Sequence, residues 1–428
     1  MSIRYASLDV LRGLAILGTL ATNIWIFTNV DGLVGYIQGS NRASGAWEPV
    51  QAVLQQLAQG KFLGLLTIMF GIGLAIQQRS AIRRGQPWPG RYYVRCALLF
   101  VDGLVNYFLF TEFDVLMGYA VTGVIVAYLL SMRIGRQHVA LGIAVATHLT
   151  LLAMVTLALA SAPKTKGEPL QPNPYADGSF WDLVAFRAEH LLLFRAEVIF
   201  ILPMSIALFL AGAALLRAGV LEPRGATLRR RLMIAGLGIA LPLDLVVGLT
   251  GGDAGLMLGR YGIAPVVSLG LLAWIAGVHA HGRTPGRWGR ALTPIGRMAL
   301  SCYVFQNMLA GAICYGWGLG LAGRLDAETV VPATVVLYLG ISALMMVMSR
   351  AWLNRFERGP LEWLWHRGYA VLAGSTKPVL ARPDSVSEKG VGERERSRRA
   401  DVGVRSSEQR SQTSGAPAAP RATAADDV

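Results

Sequence analysis

Long apolar runs constrain this sequence more than any other feature. A helix needs about 20 predominantly apolar residues to span the hydrocarbon core of a bilayer. Such runs recur along the chain, separated by polar or glycine-rich connections. We therefore predict an all-α, polytopic membrane helix bundle of about ten transmembrane helices. The predicted spans are residues 8–28, 61–78, 94–111, 114–132, 138–160, 197–217, 232–250, 261–280, 295–315 and 330–352.

The composition agrees with a membrane protein and argues against nucleic-acid binding. Charged residues make up 15% of the chain, whereas soluble domains carry about 25%. The net charge is +14, but the arginines lie between apolar runs and no zinc-finger or RNA-binding pattern occurs. The expected partner is the lipid bilayer. The three cysteines, Cys96, Cys302 and Cys314, lie inside apolar runs without disulfide or metal-ligand spacing, so we interpret them as packing residues.

The arginines predict the orientation of the chain, because Lys and Arg in short loops mark the cytoplasmic side. They concentrate in alternate loops, at 79–91, 133–136, 224–231 and 283–290. Both termini are therefore expected in the cytoplasm. Residues 1–374 form the predicted membrane domain. Residues 375–428 are rich in Ser, Arg, Glu, Ala and Pro, and we predict a disordered cytoplasmic tail.

Polar residues form a stripe on the first span. Successive helical residues are rotated by about 100°, which puts Asp9 about 60° from Arg12 and Asn23 about 20° from it. Asp9 and Arg12 have the spacing of a helical ion pair. One interpretation is a structural pair near the headgroups. The other is a binding site for an anionic group, such as the phosphates of a cytoplasmic donor.

The third span repeats this arrangement with Arg95, Asp102 and Asn106, which lie within about 40° of one another. Asp102 lies well inside the span, and an intramembrane acid is a functional candidate by default. Its expected partner is Arg95 or Arg12, although structural pairing of the two helices is an equal alternative. If the two stripes face each other, they form a polar path from the cytoplasm into the bilayer.

Other polar residues are weaker candidates for a site. Asp114 precedes the fourth span, where an acid can cap a helix. His190 precedes the sixth span, and Gln306 lies in the middle of the ninth, where it can bond a neighbouring helix. The sequence contains no serine nucleophile elbow, no Walker loop and no HExxH. Any chemistry must therefore come from residues that converge across helices.

Four segments together resemble the YeiB-type family of bacterial inner-membrane proteins of undetermined function. The resemblance covers nearly all of residues 4–370, and the C-terminal segments are its most specific part. The segments are RYASLDVLRGLAILGTLATNI, FLGLLTIMFGIGLAIQ, FDVLMGYAVTGVI, and GRMALSCYVFQNMLAGAICYGWGLG with RGPLEWLWHRG.

The LDVLRG start is also similar to a wider group of transmembrane acyltransferases, which implies a mechanism. Members of that group move an acyl group from a cytoplasmic donor, often acyl-CoA, to an acceptor across the membrane. In bacterial O-acyltransferases, a histidine base follows at the spacing that falls here on Asn23. Asparagine is not an ordinary general base. The resemblance therefore implies that an acid, Asp102 or Asp114, or the distant His190 takes that role.

Three functions stay open at this stage. The first is acyl transfer, in which Arg12 holds the donor phosphate and Asn23 and Asn106 position the acyl group or the acceptor. The second is a transporter or flippase for a small or lipid-like solute, because intramembrane charges suit ion coupling. The third is a structural or partner-binding membrane protein without turnover. No bound cofactor is expected, and acyl-CoA would be a substrate.

Overall fold

The computed structural model describes residues 6–40, 43–161, 170–280 and 286–372. All regular secondary structure in these ranges is helical. The fold class predicted from the sequence is therefore confirmed as all-α. The predicted tail, residues 375–428, lies outside the described residues.

The helices follow one another along the chain with short connections. Helices α1 to α9 are Ala6–Phe27, Gly32–Gln38, Trp47–Ala58, Lys61–Arg83, Tyr92–Leu109, Leu116–Ser131, Ile134–Ser161, Phe180–Glu189 and Leu191–Arg217. Helices α10 to α17 are Ala226–Met233, Leu241–Thr250, Gly252–Leu258, Ala264–His279, Arg287–Arg297, Ala299–Cys314, Val330–Leu353 and Pro360–Leu372. Two π-helices, Ile234–Ala240 and Gly259–Ile263, join α10 to α11 and α12 to α13.

Eight helical segments among the described residues are long and apolar enough to cross a membrane. Two more of the ten predicted spans correspond to the shorter apolar helices α6 and α15, of 16 residues each. Helix length and composition thus establish a multi-span membrane protein. The number of full-length spans is smaller than predicted, because a polar buried loop precedes α6 and a helix break precedes α15.

The second span is longer than predicted and is broken. The sequence places its start at residue 61, but helical structure extends from Trp47 to Arg83 with an interruption between α3 and α4. Gly60 stands at this break with φ +72°, a left-handed conformation that glycine adopts without steric cost. The break leaves Lys61 at the first position of α4.

The ninth predicted span is also interrupted, because α14 ends at Arg297 and α15 begins at Ala299. Helix α14 packs directly along α1. A Cβ atom on Gly296 would lie 1.8 Å from the Asp9 carbonyl oxygen, and one on Gly13 would lie 2.2 Å from that of Leu292. Both glycines therefore permit a backbone approach that no larger residue allows.

Helix α1 lies at the centre of the bundle. In its most apolar window, 72% of the residues are buried, as in the broken second span, whereas the corresponding figure for α7 is 17%. The N-terminal half of α1 shares a hydrophobic cluster with α4 and α9 that includes Leu11, Leu65 and Phe209. Its C-terminal half packs with α15 and α16 around Leu20 and Ala310. The polar stripe of α1 is thereby enclosed by other helices.

Candidate functional site

A cavity of about 180 Å³ brings together two of the predicted anion-binding arginines. Arg12 of α1 and Arg95 of α5 both line it. The first and third predicted spans therefore each contribute one residue of their polar stripe to this cavity. The other polar residues of the lining are Gln77, Tyr92 and Trp365. An apolar wall is formed by Leu66, Met69, Phe70 and Leu99.

Neighbouring side chains hold the Arg95 guanidinium in place. Its Nη1 donates to Gln77 Oε1 at 2.6 Å. The guanidinium carbon also lies 4.7 Å from the Tyr369 ring centroid and 5.5 Å from that of Trp365. Such cation–π contacts fix the orientation of an arginine without neutralising its charge. The Trp365 indole Nε1 is shielded from solvent and has no acceptor among the described residues.

Helix α17, which carries Trp365, is attached to the start of α15 by Glu362. The Glu362 Oε1 atom accepts hydrogen bonds from the backbone N–H groups of Leu300 at 2.8 Å and Ser301 at 3.2 Å. Its Oε2 accepts from the Ser301 hydroxyl at 2.5 Å. These N–H groups would otherwise lack a partner at the helix start. The two C-terminal segments that carried the family resemblance, GRMALS and GPLEWLW, therefore meet in space.

Arg12 keeps its predicted contact with Asp9. Their Nη1 and Oδ1 atoms are 3.4 Å apart, and the Arg12 side chain is 37% exposed. This is the i, i+3 ion pair expected from the sequence. A guanidinium carries five N–H donors, so an arginine can contact more than one acceptor at once.

Asp102 does not pair with either predicted arginine. Among the described residues it makes no ion pair, and its buried Oδ2 atom has no hydrogen-bond partner. It lies seven residues after Arg95 and three after Leu99, so all three share one face of α5. Asp102 is not one of the residues that line the cavity. Its helical spacing places it on the same face of α5 as Arg95 and Leu99, about two turns along the helix from Arg95.

Asp114 and Asn106 form a buried pair outside the cavity lining. The Asn106 Nδ2 atom donates to Asp114 Oδ1 at 2.9 Å, and the Met117 N–H donates to Asp114 Oδ2 at 3.1 Å. Asp114 thus caps the start of α6, which was the structural alternative for this residue. Asn307 extends the pair, since its Nδ2 lies 3.5 Å from Asn106 Oδ1.

The remaining candidates lie apart from the cavity lining. Gln306 is fully buried, and its Nε2 is 3.5 Å from the Thr19 hydroxyl of α1, as expected for a residue that bonds a neighbouring helix. Asn23 is half-buried near the other end of α1, about 16 Å along the helix from Arg12. His190 joins α8 to α9, where its Nδ1 lies 2.9 Å from the Phe186 carbonyl and its ring packs on Phe186.

Comparison with known proteins agrees with the resemblance found in the sequence. Residues 215–371 match the family described as "Protein of unknown function (DUF418)". "Uncharacterized protein YxaH" of Bacillus subtilis (strain 168) is 27% identical over 389 residues, which cover 85% of this chain and 93% of that protein. "Uncharacterized protein YeiB" of Escherichia coli (strain K12) is 26% identical over 400 residues, or 85% of this chain and 96% of that protein.

The chain is homologous to the YeiB-type proteins over most of its length. The predicted resemblance is thereby confirmed. No solved structure matches the chain. The matched region 215–371 contains α14, α15 and most of α17. It therefore includes the contact between Glu362 and the start of α15 that positions Trp365 at the cavity.

Sequence reasoning missed a buried cluster that involves the loop between α5 and α6. Arg187 Nε lies 3.1 Å from Glu112 Oε2, and both side chains are almost fully buried. The Tyr175 hydroxyl donates to Glu112 Oε1 at 2.7 Å. Burial and the Glu112 charge raise the pKa of Tyr175 well above its usual value, so this phenol remains a donor. The separation of 75 residues between Glu112 and Arg187 left no local signal.

A second buried pair, between Lys61 and Asp244, was also missed. Lys61 is the first residue of the predicted second span, and a lysine at the end of a span is common. The position of Lys61 after a helix break, rather than at a membrane surface, became evident only from the structure. Its only local signal is the Gln59–Gly60–Lys61 sequence between two apolar runs.

Proposed function

We propose that the cavity binds a phosphate-bearing acyl donor, such as acyl-CoA, and that the protein transfers the acyl group to an acceptor across the membrane. One observation carries the proposal: Arg12 and Arg95, from different helices, line one cavity that also has an apolar wall. Guanidinium groups suit phosphate because they form paired, charge-assisted hydrogen bonds. The apolar wall suits the acyl chain.

Among the predicted bases, Asp102 has the position that suits this reaction best. It lies on the same face of α5 as Arg95 and Leu99, and its Oδ2 has no partner among the described residues. The acceptor hydroxyl oxygen would attack the thioester carbonyl carbon while Asp102 takes the hydroxyl proton. The carbon–sulfur bond then breaks, and the proton passes to the departing thiolate. Asp114 is a poorer base because two donors already occupy its oxygens.

The proposal places the cavity on the cytoplasmic side of a bacterial inner membrane, with both termini in the cytoplasm. The distribution of arginines supports this orientation. Arg12 lies near the start of α1, Gln77 near the end of α4 and Arg95 near the start of α5, so these residues share one end of the bundle. A cytoplasmic donor would thus reach the cavity directly.

Binding of a donor analogue provides the test. The protein, purified into lipid nanodiscs, is titrated with a non-hydrolysable acyl-CoA, and its thioesterase and transferase activities are assayed with acyl-CoA. We expect Arg12→Ala and Arg95→Ala each to weaken binding by about tenfold or more, because a charge-assisted contact of about 1.4 kcal/mol or more is lost. Asp102→Asn should retain binding and lose turnover.

A matched control uses Arg136→Ala, since Arg136 is exposed in the first turn of α7. This variant should bind like the wild type if the effect belongs to the cavity rather than to net charge. Equal affinity in the wild type, Arg12→Ala and Arg95→Ala would refute donor binding at this site.

Transport of a small or lipid-like solute is the second candidate function. It is favoured by the break in the second span, since many transporters bind their substrates or coupling ions at discontinuous helices. Counterflow of labelled solutes into proteoliposomes tests it. Solute exchange that survives Arg12→Ala and Arg95→Ala, in a protein without acyl-CoA binding, would select transport over acyl transfer.

A further inference from the structure

A buried ion pair lies at the break in the second span. Lys61 Nζ is 2.5 Å from Asp244 Oδ2, and the two side chains are 2% and 0% exposed. Removing two charges from water is costly even when they pair, and charged residues inside membrane helices usually have a functional role. This pair lies away from the cavity, whose lining contains neither residue.

Three backbone irregularities converge on the pair. The α3–α4 break precedes Lys61, one π-helix precedes α11 and the other begins at Gly259. A Cβ atom on Gly259 would lie 3.2 Å from Asp244 Oδ1 and 3.1 Å from Gln56 Nε2. Because π-helical turns are frequent at functional sites and broken helices form ion sites in transporters, the geometry suggests more than a structural contact.

The polar groups around the Lys61–Asp244 pair include two buried acceptor atoms that receive no hydrogen bond from a described residue. The Lys61 ammonium has three acceptors: Asp244 Oδ2, the Gln56 carbonyl at 2.5 Å and the Gln59 carbonyl at 3.4 Å. Gln56 Nε2 donates to Asp244 Oδ2 at 2.9 Å and to the Asp244 carbonyl at 3.0 Å. Two buried atoms, Asp244 Oδ1 and Gln56 Oε1, have no partner among the described residues. Both are acceptors, so a hydrogen bound to one of them could be donated to the other.

We propose that Asp244 is a proton-binding site inside the membrane. Uptake of one proton from the aqueous phase forms an O–H bond on the Asp244 carboxyl group and removes its negative charge. The Gln56 side-chain amide can then rotate and accept from this O–H through Oε1. Lys61 loses its ion-pair partner, which weakens the connection between α4 and α11. No other covalent bond of the protein is made or broken.

The other charged or titratable groups on the helices packed against Asp244 are either exposed or contact other residues. Glu48 of α3 and Asp253 of α12 are exposed. In the second π-helix, Arg260 and Tyr261 both contact Glu197 of α9. The His279 Nδ1 of α13 lies 2.9 Å from the Ile275 carbonyl. Among the described residues, Lys61 is therefore the charged partner that decides the protonation of Asp244.

Infrared difference spectroscopy tests the proposal on the full-length protein in lipid nanodiscs. As the pH is lowered, the wild type should gain the carbonyl band of a protonated carboxylic acid. Because other carboxyl groups of the protein also take up protons as the pH falls, the signal of Asp244 is the part of this band that Asp244→Asn lacks. Lys61→Met should show more of that part at neutral pH than the wild type, because a buried carboxyl group without a positive partner favours its neutral form.

Two variants provide controls. Asp253→Asn removes an exposed acid of the adjacent helix and should retain the band. Lys61→Arg preserves the positive charge and should keep the wild-type intensity of the Asp244 part of the band, which gives a folded reference if Lys61→Met is unstable. The proposal is wrong if the wild type and Asp244→Asn gain the same carbonyl intensity over the folded pH range. It is also wrong if Lys61→Met and Lys61→Arg show equal intensity at neutral pH.

Discussion

Three carboxylates of this protein differ in the hydrogen-bond donors available to them. Asp114 accepts from a side-chain amide and a backbone N–H. Glu362 accepts from two backbone N–H groups and a hydroxyl. The Oδ2 atom of Asp102 is buried and accepts from no described group. A carboxylate with bound donors stabilises local structure, whereas one with a free oxygen remains able to accept a proton.

The role of Glu362 as a helix cap leads to a stability prediction. Glu362→Ala removes the acceptor of the Leu300 and Ser301 N–H groups, and we expect a loss of about 1–2 kcal/mol. The thermal midpoint of the detergent-solubilised protein, followed by size-exclusion chromatography, should fall. Glu357→Ala is the control, because Glu357 is exposed and contributes only its carbonyl, to Arg297. Equal midpoints for both variants would contradict the capping role.

At the scale of helices, close contact between α1 and α14 positions the start of the α1 stripe. Gly13 and Gly296 face opposing backbone atoms, so α14 packs directly on the helix that carries Asp9 and Arg12. The pattern of apolar residues could not reveal this contact. It suggested one continuous ninth span, whereas α14 contains four arginine or tryptophan residues and ends before α15.

The contact between α1 and α14 can be tested by adding a single methyl group. Gly296→Ala places a Cβ atom 1.8 Å from the Asp9 carbonyl oxygen, so the helices must separate, at a cost of about 1–3 kcal/mol. Its thermal midpoint should fall below that of the wild type. Gly340→Ala provides the matched control, because open space surrounds its Cβ position in α16. If the two alanine variants are equally stable, the close approach is not required.

At the scale of the whole molecule, the proposed functions depend on the side of the membrane that each end of the bundle faces. The alternation of arginine-rich loops predicts cytoplasmic termini. It also predicts that the loop at Gly135 is cytoplasmic and that the loop at Asp253 faces outward. The donor cavity and the Lys61–Asp244 pair would then be reached from different depths of the bilayer.

Cysteine labelling on intact cells checks the orientation. The three native cysteines are buried, so they should contribute little background. A membrane-impermeant maleimide should label Asp253→Cys on intact cells, and Gly135→Cys only after lysis, since both positions are exposed. The opposite pattern would invert the topology and place the arginine cavity outside the cytoplasm.

The sequence by itself determined the all-α membrane class, the approximate positions of most spans, the Asp9–Arg12 pair and the family resemblance. These properties follow from local apolar length and helical spacing, which a sequence expresses directly. Only the tertiary structure decided that Arg12 and Arg95 line one cavity, that Asp102 has no charged partner among the described residues and that Lys61 meets Asp244 beside a broken helix. Those relations join residues far apart in the chain, and helix packing rather than local spacing brings them together.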